Sequence, residues 1–72
     1  MYIVLAELRY LTKLSQQAVA DRMGNQQSTI SDMESAFPLN CRVSTLQRYI
    51  DAVGGIMTIN VKIDGREFIL KQ

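Results

Sequence analysis

Apolar residues recur along this chain with two different periods, and the change between them divides it. From Tyr2 to Lys13, Val4, Leu5, Leu8 and Leu11 return at helical spacing while Glu7, Arg9 and Lys13 can reach solvent, which predicts a first helix. Ser15 is a good N-cap, and Leu14 before it can staple onto Val19, so a second helix is expected over Gln16 to Met23. It should stop at Gly24, because glycine tolerates the left-handed backbone of a helix end. A third helix is expected from Gln26 or Gln27 to about Ser35, with Ile30 and Met33 facing inward. Asn25 has the better capping chemistry, and Gln26 is the other candidate. Ala36 to Val43, marked by Pro38 and Asn40, reads as a loop. Ser44 and Gln47 have the spacing of a capping box, opening a fourth helix with Leu46, Tyr49, Ile50 and Val53 as its apolar stripe and Gly54-Gly55 as its end.

The period then drops to two. Met57, Ile59, Val61 and Ile63 alternate with Thr58, Asn60 and Lys62, the pattern of a half-buried strand. Asp64-Gly65 supplies a type I′ turn, and Arg66 to Lys71 returns. Counting outward from a two-residue turn pairs Ile63 with Arg66, Lys62 with Glu67, Val61 with Phe68, and Ile59 with Leu70. That register puts an opposite-charge pair on one face and two apolar pairs on the other, which supports the hairpin. The expected fold is mainly α: a four-helix domain over residues 1–55, followed by a β-hairpin over 56–72.

Two short helices joined by a tight glycine-containing turn make a helix-turn-helix, here over residues 16–35. Ala20 must be small where the helices cross, and Val19, Met23, Ile30 and Met33 fill the seam. Gln26, Gln27, Ser28, Ser31, Asp32 and Ser35 are left exposed on the second helix of the unit. This polar and mostly uncharged face is either a base-reading surface or simply a solvated one.

The stretch resembles the lambda repressor/Cro-type (XRE) helix-turn-helix family. Gln16, Ala20, Gly24 and Ile30 match its pattern at the family's spacing, Leu14-Ser15-Gln16 is typical of it, and the likeness runs over about residues 4–54. Asn25 departs from it, since an apolar residue usually follows the turn glycine. The resemblance implies a lambda-repressor-like domain in which Gln27 contacts bases in the major groove while Gln16 binds a phosphate and braces Gln27. It also places Arg9 and Glu34 where several members carry a buried ion pair, and Arg42 where relatives send an arginine towards the minor groove. Glutamine chemistry agrees independently, because a glutamine amide can bond adenine N6 and N7 together. Arg22 and Lys13 remain open between phosphate contact and plain solubility. The hairpin is similar to the β-segment of HipB-like antitoxins, which pair such strands across a dimer. Ile59, Val61, Phe68 and Leu70 are therefore the expected dimerisation residues, with packing onto the chain's own helices as the alternative.

Composition adjusts this reading only a little. The chain has 72 residues, 47% hydrophobic, and a formal net charge of +1. A domain this small is marginal alone, so association would help it. Charge is weak evidence for DNA: between Arg9 and Arg48 there are five basic residues against three acids. The chain has no histidine and a single cysteine, Cys41, and neither a catalytic dyad nor a metal-ligand set suggests itself. Cys41 is read as inert. No cofactor is expected, and neither is enzymatic activity or a membrane span. A reducing, cytoplasmic location is expected. The leading functional reading is a repressor that binds a palindromic operator in double-stranded DNA as a homodimer, with control of its own operon as one role open to it. The alternative is an antitoxin that neutralises a toxin protein and autoregulates.

Overall fold

The computed structural model describes residues 1–71, so the last residue of the expected hairpin segment, Gln72, lies outside the described residues. The elements run α1 (Leu5–Leu11), α2 (Gln16–Met23), α3 (Gln27–Ala36), α4 (Val43–Ala52), β1 (Ile59–Ile63) and β2 (Arg66–Leu70). This is the expected class: four helices and a C-terminal two-stranded hairpin.

Helix α1 is shorter at both ends than the apolar spacing suggests. Val4 is its N-cap and has no side-chain acceptor. Glu7 supplies the chemistry instead, its carboxylate accepting the Val4 N–H at 3.2 Å while its own N–H donates to the Val4 carbonyl at 3.0 Å. Tyr2 and Ile3 therefore precede the helix. At the other end the Arg9 carbonyl accepts N–H groups from both Thr12 and Leu14, which turns Lys13 into a positive φ of 58° and stops the helix two residues early.

Helix α2 begins where Ser15 Oγ accepts the Ala18 N–H at 3.0 Å and ends at Gly24, whose φ is 71°. The Asn25 N–H donates to the Ala20 carbonyl at 2.9 Å. Asn25 is thus engaged in closing α2, and the cap of α3 falls to Gln26, which makes no side-chain capping bond. The fourth helix likewise starts one residue before the expected box. Arg42 is its N-cap, and Gln47 donates to Asp51 at 2.8 Å instead of reaching back to Ser44. With Ser44 already inside the helix the box cannot form, and Gln47 makes the i,i+4 pair instead.

Leu5, Val19, Ala20, Met23, Ile30, Tyr49, Ala52 and Val53 form the buried core, with Leu8, Leu14, Met33, Leu46 and Ile50 packed around it. Ala20 is fully buried, as the close crossing of α2 and α3 requires. Among the described residues, none of the hairpin belongs to this core. The strands pair in the counted register, Ile59 with Leu70 through Ile63 with Arg66. Asp64 and Gly65 have φ of 51° and 76°, both positive as a type I′ turn demands. The strand starts at Ile59, not at Met57. Residues 56–58 run outside the sheet along a groove of about 400 Å³ that Leu8, Leu11, Ile50 and Val53 also line; Met57 is half-buried there, while Ile56 and Thr58 are exposed. Among the described residues, no helix is long and apolar enough to cross a membrane.

Candidate nucleic-acid interface

The buried centre of the domain is an ion pair. Arg9 Nε donates to Glu34 Oε2 at 2.8 Å and a second guanidinium nitrogen to Oε1 at 3.0 Å, with the two side chains only 9% and 6% exposed. The Tyr49 hydroxyl donates to Oε2 at 2.6 Å and Gln16 Nε2 to Oε1 at 3.0 Å. Arg9 also donates to the Leu14 carbonyl at 3.1 Å. Burial pushes the Glu34 carboxyl up, but the bonds from Arg9, Tyr49 and Gln16 and the Arg9 charge outweigh it and hold the group below its ordinary value. The bond to Glu34 raises Arg9 in spite of its own burial. Tyr49 is raised by burial first and then by its carboxylate partner. Among the described residues, no buried side-chain polar atom lacks a hydrogen-bond partner.

This cluster continues to the surface. Gln27, the first residue of α3, donates from Nε2 to Gln16 Oε1 at 2.9 Å. Gln27 and Glu34 lie two turns apart on one stripe of the helix, and Gln16, opening α2, bridges them. Gln26, Gln27 and Ser28 are exposed at the free end of α3, Ser31 is half-buried one turn on, and Asp32 is exposed. The first N–H groups of that helix have no intrahelical acceptor, which suits a phosphate.

The structure turns one candidate, Arg22, away from this group and leaves another, Arg42, exposed at the start of α4. Arg22 donates to the Ala52 carbonyl at 2.7 Å, and Arg48 donates to the Met23 carbonyl. These two arginines tie the C-terminal ends of α2 and α4 to each other, where cations are favoured by the free carbonyls. Arg22 stands six residues along α2 from Gln16 and so about 120° around it, which turns it from the Gln16–Gln27 edge. Arg42 caps α4 with its backbone while its side chain is exposed.

Sequence reasoning missed the roles of Tyr49 and Arg48. Tyr49 counts as apolar in a helical stripe, although a buried tyrosine hydroxyl needs a partner and that requirement was a usable signal. Arg48 carried no sequence signal, since its acceptor is a backbone carbonyl 25 residues away.

Known structures share this fold. One, a DNA-bound antitoxin HigA3, superposes with a TM-score of 0.87 at 30% identity over 100% of this chain and 94% of its own. A second, a HigA antitoxin described for DNA bending induced by a unique dimerization, gives a TM-score of 0.87 at 32% identity over 100% and 96%. This chain belongs to the HigA family. A curated HigA relative from Mycobacterium tuberculosis, named as a candidate antitoxin HigA2, is 35% identical over 66 residues. That match takes in 92% of this chain and 65% of the relative, so the chain spans a little under two thirds of that HigA protein's length. No family model matches the chain.

Removal of Arg9 from this HigA domain strands a buried carboxylate. Arg9→Ala should destabilise the fold by about 3–5 kcal/mol, read from urea unfolding. A curve superimposable on the parent's would show that the pair is not buried in solution. The depressed Glu34 pKa fixes a sign as well. Its contribution is fully present above the unfolded-state value of roughly 4.3 and is lost as pH falls through the lower folded-state value. The melting temperature should therefore drop on acidification below about pH 4.5, and this part of the acid limb should be missing in Glu34→Gln.

Proposed function

We propose that this chain is a dimeric DNA-binding regulator of the antitoxin type, which reads a palindromic operator through α3 and is also the binding partner of a toxin. The observation that carries the DNA reading is the Gln27–Gln16 pair, an exposed amide at the free end of a helix braced from a buried base. Its geometry suits a lambda repressor/Cro-type (XRE) domain. Gln27 meets base edges in the major groove, Gln16 meets phosphate beside it, and Gln26, Ser28, Ser31 and Asp32 flank the contact. Arg42, exposed at the start of α4, reaches the backbone or the minor groove. Arg22 is exposed with one nitrogen on the Ala52 carbonyl, and it stands between phosphate contact and a structural role. Membership of the HigA family supports the antitoxin alternative better than a repressor that works without a toxin. Autoregulation of the operon is compatible with both.

The hairpin supports the dimer. Ile63, Phe68, Ile69 and Leu70 are exposed by 58%, 41%, 66% and 49%, and none reaches the core. An isolated hairpin is marginal in water, and an uncovered edge associates or needs protection. Lys62 is the only charge on β1. Pairing two hairpins across a two-fold axis buries Ile59, Val61, Phe68 and Leu70 together and satisfies the edge. Residues 56–71 then act as a dimerisation unit beside the 1–55 domain.

Selection of bound DNA from a random library should return a palindrome. On that site Gln27→Ala should lose about 1–3 kcal/mol of affinity and leave binding to random DNA almost unchanged. Equal losses on both would remove Gln27 from base reading. The double variant Phe68→Glu, Leu70→Glu should sediment as a monomer and bind only half-sites, without cooperativity. A variant that stays dimeric with full operator affinity would move the interface to the helices.

A further inference from the structure

We propose that Glu34 is a specificity-determining residue that never touches DNA, because it fixes which end of the Gln27 amide meets the base. The inference rests on the reading of Gln27 as the base-contacting residue. An ionised carboxylate only accepts hydrogen bonds. Gln16 must therefore turn its NH₂ towards Glu34, as it does at 3.0 Å. An amide has two unlike ends, so Gln16 Oε1 is left facing Gln27. Gln27 must answer with its own NH₂, at 2.9 Å. The polarity of the exposed amide is thus set two links away, by a carboxylate that is 6% exposed.

The consequence is chemical. With one N–H spent on Gln16, Gln27 presents its carbonyl oxygen and its second N–H to the groove. That acceptor–donor pair matches adenine, which shows an N6 amino donor and an N7 acceptor. Guanine shows two acceptors, O6 and N7, and would be served better by an amide turned the other way. Glu34 in its present state forbids that turn, since a reversed Gln16 would aim its oxygen at the carboxylate. Arg9 and Tyr49 hold both oxygens from the far side, so the carboxylate cannot swing aside. Glu34 positions Gln16, Gln16 positions Gln27, and adenine is preferred over guanine at the contacted pair.

Two variants break the relay at different links. Gln16→Ala removes the bridge and leaves Arg9, Glu34 and Tyr49 together. Glu34→Gln keeps the shape but offers an NH₂, which lets Gln16 and Gln27 reverse. The measurement is the ratio of affinities for operators carrying adenine or guanine at the contacted position, on protein shown to be folded by circular dichroism. Both variants should reduce the preference for adenine on the order of tenfold, whatever happens to overall affinity. Val53→Ala, a core change away from the relay, should lower the melting temperature and leave the ratio where it was. If Glu34→Gln does not fold, Gln16→Ala decides. A ratio lost in Gln27→Ala but retained in folded Gln16→Ala overturns the relay alone. A ratio unmoved by Gln27→Ala overturns the base reading, and the relay with it.

Discussion

A carboxylate 6% exposed in a 72-residue domain is costly unless every lone pair is answered, and Glu34 is answered from all sides. Arg9 comes from α1, Gln16 from α2 and Tyr49 from α4, while Glu34 itself belongs to α3. All four helices are therefore joined at one acidic group. The apolar core around it would tolerate some sliding, since Val19, Ile30 and Val53 make non-directional contacts. The charged hydrogen bonds would not, because each fixes a distance and an angle. Arg22 and Arg48 repeat the device at a smaller scale, locking the ends of α2 and α4 through backbone carbonyls.

In the proposed reading the hub also explains how a chain with a net charge of +1 can present a specific surface. Strong positive potential would give affinity for any phosphate backbone and little discrimination. Here the exposed end of α3 carries amides and hydroxyls, groups that depend on orientation for their effect. Orientation is what the buried cluster supplies through Gln16. In the proposed reading, specificity at the base is carried by a residue with no freedom to choose its own rotamer.

Much of this was legible in the chain itself, and the parts that were not share a cause. The hairpin register followed from counting, because a two-residue turn leaves one solution and Asp64-Gly65 names it. The α2–turn–α3 unit followed from Ser15, Ala20 and Gly24, each required by local geometry. What failed was competition between equally good local partners. Asn25 is a better cap than Gln26 in isolation, yet the closing turn of α2 holds its backbone one residue short of the cap position. Gln47 could reach Ser44, yet Asp51 lies one turn ahead and takes it. Arg22 is exposed as its pattern suggests, yet its bond to the Ala52 carbonyl needs the end of α4 placed beside it. Tyr49 reads as one more apolar position until its hydroxyl meets Glu34. Local pattern names the candidates for each bond, and only the tertiary arrangement decides between them.

The hairpin stands outside this logic and completes it. Its apolar pairs are formed in the right register but remain in contact with water, and the core gains nothing from them. A monomer therefore carries an ordered element whose hydrophobic face is unused. In the proposed dimer that face becomes the axis, and the separation of the two α3 helices follows from how the hairpins meet. A helix-turn-helix dimer reads half-sites roughly 34 Å apart, so spacing is as much a part of recognition as the base contact. The two requirements are divided between two parts of the chain. In that proposal the Glu34 cluster sets what each half-site must contain, and the hairpin sets how far apart the halves must lie. Because the hairpin and the core share no buried residue, a change in one can alter spacing without disturbing base choice, and a change in the other can alter base choice without disturbing spacing.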